Sequence, residues 1–175
     1  MKEARLDERS LDETHPHLKE FLSYLPVVSA ESARGEVLIS VSYLDELLRR
    51  TLMAFFVEQK KHSELLDGAN APLGSFSSRI GVCEALGLIS DREARELHRM
   101  RKIRNRFSHE VYVSFEDQQI KDWCKALDYK APDYGDVVVP PRGQFGSATH
   151  SLILNLVNRA SYVSKERRAA KAWPY

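Results

Sequence analysis

The feature that most constrains this chain is one long helical pattern, from Ala30 to about His62. Val37, Val41, Leu44, Leu48 and Phe55 recur at steps of three, four and seven. Leu38, Leu47, Leu52 and Phe56 widen the stripe, and Asp45, Glu46, Arg49 and Arg50 stand beside it. This is the period of an amphipathic helix. Only Gly35, near the start, opposes it, so the pattern predicts about 30 residues of helix, roughly 45 Å at 1.5 Å per residue. Such a rod is longer than one small layer needs. It calls for a second helix layer or a second copy of the chain to cover its apolar face.

The rest of the sequence supplies that layer. His15, Pro16, Leu18, Phe21, Leu22 and Leu25 form a short stripe that Pro26 is expected to stop. Leu65 to Gly74 is a turn-rich connector. Ser75 can cap a helix to about Leu86, which Gly87 closes. Ser90 and Glu93 have capping-box spacing and open a helix from Asp91 to about Ser108. Ser114 with Asp117 opens another from Phe115 to Leu127. Residues 128–147 hold Pro132, Gly135, Pro140, Pro141, Gly143 and Gly146 and are expected to form a long loop, with a short extended edge at Val137 to Val139. A last helix carries Leu152, Leu154, Leu156, Val157, Ala160 and Val163 and runs into the basic tail Lys165, Arg167, Arg168 and Lys171. No alternating strand pattern of useful length occurs. The expected fold is all-α, a bundle of about five or six helices forming one domain over residues 14–172, preceded by a flexible, polar segment at 1–13.

Composition narrows the function classes. The 175 residues include 26 Lys plus Arg against 25 Asp plus Glu, a net charge of +1, which excludes a uniformly basic nucleic-acid coat and a uniformly acidic tail. Cys83 and Cys124 are 41 positions apart, with no Cys/His cluster at ligand spacing, so neither a metal nor another cofactor is expected. The charged N-terminus is unlike a secretory leader, and no apolar run reaches the roughly 20 residues of a membrane span. The expected setting is cytoplasmic, with no membrane partner and with both thiols reduced. Gly-rich phosphate loops, G-x-S-x-G elbows and H-E-x-x-H pairs are absent from the sequence.

The charge is nevertheless segregated. Between Leu97 and His109 there are five cations, Arg99, Arg101, Lys102, Arg104 and Arg106, and no acid. Arg92 and Arg95 precede them on the same expected helix. Positions 92, 95, 99, 102 and 106 share one face. Such a stripe reads either as a solvated helix face with cations toward its C-terminus or as a phosphate-binding surface in which Arg99, Arg101, Lys102 and Arg106 hold flanking phosphates. Within it, Arg104-Asn105-Arg106-Phe107-Ser108-His109 puts a guanidinium, an amide and an imidazole near a helix end. An imidazole can take or give a proton at neutral pH, and a guanidinium can hold phosphate oxygens in pairs. The plainer reading is a His that caps its own helix. Tyr112, Phe115 and Trp123 could stack on bases, but aromatics at helix starts and at helical spacing read first as core residues; His15, His17, His62, His98 and His150 read as surface or packing residues.

These residues carry two resemblances. Arg104-Asn105-x-x-x-His109, late in a helix of an α-bundle, resembles the signature of HEPN domains, many of which are metal-independent endoribonucleases that cut RNA at a site shared by two protomers. The ordered blocks Leu65-Leu66-Asp67-Gly68, Pro72-Leu73-Gly74-Ser75, Ser78-Arg79-Ile80 and Leu86-Gly87-Leu88-Ile89 are similar to the mannitol operon repressor (MtlR) family, over roughly residues 35–165. The first resemblance implies RNA as substrate, an obligatory homodimer and a toxin–antitoxin or defence setting with an antitoxin partner. In it His109 would be the general base on a ribose 2′-OH, Arg104 would stabilise the phosphorane and Asn105 would orient one of them. The second implies a noncatalytic transcriptional regulator that binds protein or nucleic acid. A DNA-binding helix-turn-helix over Ser75 to Arg104 is a weaker variant of that reading, because the turn suits an ordinary helical hairpin equally well.

Overall fold

The computed structural model describes residues 15–58, 62–68 and 70–174. The segment 1–13, expected to be flexible, lies outside them. Pro16–Leu18 form a single 3-10 turn. Among the described residues eight α-helices follow: α1 (Lys19–Ser29), α2 (Ala33–Phe55), α3 (His62–Leu66), α4 (Phe76–Ala85), α5 (Asp91–His109), α6 (Gln118–Lys125), α7 (Pro141–Leu156) and α8 (Arg159–Lys165). The fold is all-α, and among the described residues the only extended pairing is an isolated bridge between Tyr134 and Val137.

The long helix is the axis of the molecule. α2 packs against α1, α4, α5, α7 and α8, and its stripe of Val37, Val41, Leu44, Leu48 and Leu52 is fully buried. Ser32 caps it by accepting the Gly35 N–H at 3.1 Å. It has 23 residues and stops at Phe55 rather than near His62. The end is a tertiary cap: Arg167, from the basic tail, donates to the carbonyls of Ala54 (2.9 Å) and Met53 (3.0 Å), and Phe56 turns to extended backbone and packs against the core.

Three other expectations about elements are corrected. Pro26 does not stop α1, which continues to Ser29. The proline is exposed while Tyr24 and Val28 on either side of it are buried, so packing holds the turn that lacks one backbone bond. Ser114 and Asp117 do not open a helix at Phe115. Their side chains close a turn, Asp117 accepting from the Ser114 N–H and Ser114 from the Glu116 N–H, and α6 begins at Gln118. The long loop ends at Pro140 instead of 147. Pro141 occupies the first turn of α7, where its missing N–H costs nothing. Gly146 lets α7 approach α2 closely, since a Cβ there would lie 3.2 Å from Glu36 Oε1. Apolar side chains from α1, α2, α4, α5, α6 and α7 close one buried cluster.

Candidate functional site

α5 carries every residue of the candidate site, and its ends are fixed from several directions. At its start, Ser90 and Glu93 form the expected capping box. Glu93 also receives Arg159 from α8 (2.8 Å). Burial pushes the Glu93 carboxyl up, but Arg159 and Ser90 outweigh it and hold the group below its ordinary value. At its end, Arg34 in the first turn of α2 donates to the carbonyls of Phe107, Glu110 (2.8 Å) and Val111 (2.9 Å). Arg34 thus satisfies carbonyls that the helix itself leaves unpaired. Nothing in the sequence flags it, because its targets lie more than 70 positions away.

Between these ends the cations divide into two sets. Arg92 donates to the Asp128 carbonyl (2.8 Å) and lies over the Tyr129 ring. Arg95 pairs with Asp91. Arg99 pairs with Asp128 (2.9 Å) and Glu96 (3.5 Å). Arg106 pairs with Glu110 and donates to Gln119. Glu96 is fully buried and accepts the N–H groups of Asp128 and Tyr129, both at 3.0 Å, so it anchors the following loop against this side of the helix. The stripe expected at 92, 95, 99, 102 and 106 is therefore largely neutralised within the chain.

The second set faces outward. At 100° per residue His98, Arg101, Lys102, Asn105 and His109 fall within an arc of about 100°, along roughly 16 Å of helix. Arg101 and Lys102 have no acidic partner within ion-pair distance among the described residues. The Arg101 Nε is buried without an acceptor. Lys102 and His109 are exposed, and His98, Arg101 and Asn105 half-buried. Burial, then Arg101, hold the His98 imidazole below its ordinary value; Glu84 opposes and Lys102 adds to the effect.

Arg104 is placed differently. It is five positions from His109, about 140° around the helix, and leans toward α2, where its charge is felt by Asp45. One of its N–H groups donates to Asn105 Oδ1 at 3.2 Å. Asn105 and His109 thus share a face, with Arg104 at its margin rather than opposite the imidazole. Two aromatic expectations hold and one does not. Phe115 is buried against Phe107 and Phe145, and Trp123 packs on the core, but Tyr112 is 96% exposed and Val111 76%. Clefts are lined by Val57, Arg168 and Trp173 and by Leu25, Glu36, Arg142 and His150, away from this face. Among the described residues no cluster of His, Cys, Asp and Glu could hold a metal ion, and no helix is long and apolar enough to cross a membrane.

Fold and surface together define a helical domain built round one central helix, with an unpaired polar and cationic face on a second. The same architecture occurs in a chain of the X-ray structure of the MtlR–HPr complex from Escherichia coli, at a TM-score of 0.58 and 19% identity, covering 86% of this chain and 99% of that one. The fold is accordingly MtlR-like. No protein-family model and no curated protein matches the sequence.

Proposed function

We propose that this protein is a noncatalytic regulator that acts by binding another protein. The observation that carries the reading is the fold: over 86% of this chain it is shared with a chain of a protein–protein complex, MtlR with HPr. The surface of α5 supports it, since Arg104 and His109 diverge around the helix and sit on an open face instead of converging in a cleft. The test is to purify the tagged protein from its own cells, with and without ribonuclease treatment, and identify what co-purifies in stoichiometric amount. A protein retained after ribonuclease treatment supports the proposal, and retention of nucleic acid alone sinks it.

One observation favours a second reading, a metal-independent endoribonuclease of HEPN type. Asn105 and His109 lie on one face of α5, and among the described residues His109 makes no side-chain hydrogen bond. Because Arg104 stands aside from His109, a reaction centre would need a second protomer, so this reading requires a homodimer, RNA as substrate and, in a toxin role, an antitoxin. It predicts chelator-resistant cleavage that disappears in both Arg104→Ala and His109→Ala.

A further inference from the structure

We infer that the outward face of α5, bearing His98, Arg101, Lys102, Asn105 and His109 and continued by Val111 and Tyr112, docks a carboxylate-rich segment of a partner protein. The inference rests on the reading of this chain as a protein-binding regulator and names the surface and the chemistry of its partner.

Charge complementarity is the first argument. Of seven cations from Arg92 to Arg106, Arg92, Arg95, Arg99 and Arg106 are engaged by groups of this chain, whereas Arg101 and Lys102 are not. The acids nearest this face are committed or peripheral: Glu110 pairs with Arg106, and Glu84 on α4 acts on His98. Asn105 and His109 add hydrogen-bonding groups one and two turns further along. A carboxylate-bearing strand or helix laid along α5 would meet a guanidinium able to bind it in paired fashion, an ammonium, an amide and an imidazole in succession.

The choice of protein over nucleic acid follows from number and neighbourhood. Polyanion binding scales with the phosphates neutralised, and on this outward face only Arg101 and Lys102 are cations without a carboxylate partner among the described residues. Beyond His109 the surface becomes apolar, with Val111 and Tyr112 almost wholly in solvent. Exposed aromatic side chains are enriched among protein interface anchors. Val111 offers nothing to a phosphate backbone.

The experiment measures anisotropy of two labelled probes at physiological salt, a twelve-residue Asp/Glu/Leu peptide and a twelve-nucleotide oligouridine, against the full chain. Variants are Arg101→Glu with Lys102→Glu, the milder Arg101→Gln with Lys102→Gln, Tyr112→Ala, and Arg95→Glu on the paired side as control. The inference expects peptide binding that weakens about tenfold or more in the charge reversal and about threefold in Tyr112→Ala. It also expects a change within about twofold in the control, and oligouridine binding weaker than peptide. No peptide binding at millimolar concentration, peptide affinity unchanged by both double variants, or oligouridine bound more tightly than peptide would overturn it. If a cellular protein partner is found and the double reversal leaves that complex intact, the docking inference fails while the regulator reading stands; RNA cleavage by the chain would remove the reading itself.

Discussion

Arg79 explains, at the scale of single residues, why the most specific blocks of the sequence occur together. Its side chain is almost fully buried and donates to Asp45 (2.7 Å) and to the carbonyls of Leu73 (2.9 Å) and Leu66 (2.8 Å). Asp67 is held by Arg49 through paired hydrogen bonds, and the Leu73 N–H returns to the Leu65 carbonyl (2.8 Å). The Leu-Leu-Asp-Gly, Pro-Leu-Gly-Ser and Ser-Arg-Ile blocks are thus one clasp that ties the connector to α2 and α4. Their specificity is architectural. Replacing Arg79 by Ala leaves a half-buried carboxylate and two carbonyls unpaired and is expected to lower unfolding stability by about 3 kcal/mol in urea titration. Arg95→Ala, which removes an exposed pair, should change it by less than about 0.5 kcal/mol. Burial pushes the thiols of Cys83 and Cys124 up to about 12, so the native chain should take up no thiol reagent at pH 8 until it unfolds.

Elements were legible where local chemistry decides them and illegible where distant groups do. The capping box of α5 and the left-handed Gly87 after α4 (φ 68°) follow from short-range patterns and are present as read. The end of α2 and the persistence of α1 past Pro26 depend on Arg167 and on the burial of Tyr24 and Val28, neither of which is local, and the first turn of α7 is tied to α2 by Arg142 against Glu36. The same limit applies to the site. The cationic run on α5 was visible, but its division into a neutralised and an unpaired face requires Asp128, Gln119 and the buried Glu96. Arg34 makes the point testable: Arg34→Ala uncaps α5 and is expected to cost about 1–2 kcal/mol, with faster amide exchange over residues 109–112 and little change in α4. Helix packing also responds to pH. His150 on α7 lies edge-on to Phe21 and Tyr24 of α1, and burial holds it below its ordinary value despite Glu36; His98 is lowered too. The unfolded chain then binds more protons than the folded one just below pH 6.5, so stability should fall on acidification through that range. His150→Phe should flatten the fall, as read from urea midpoints at pH 7.5 and 5.5.

For the molecule as a whole, the question is whether the outward face of α5 performs chemistry or recognition. One fold serves many functions, and a shared architecture at 19% identity fixes only the frame. Within that frame, the divergence of Arg104 from His109 and the neutralisation of three of the cations by carboxylates argue for recognition. The most direct measurement incubates the purified chain with structured and unstructured RNA in EDTA, beside Arg104→Ala and His109→Ala. A recognition surface gives no cleavage by the wild type beyond that of either variant. EDTA-resistant cleavage by the wild type that is lost in both variants would contradict that reading.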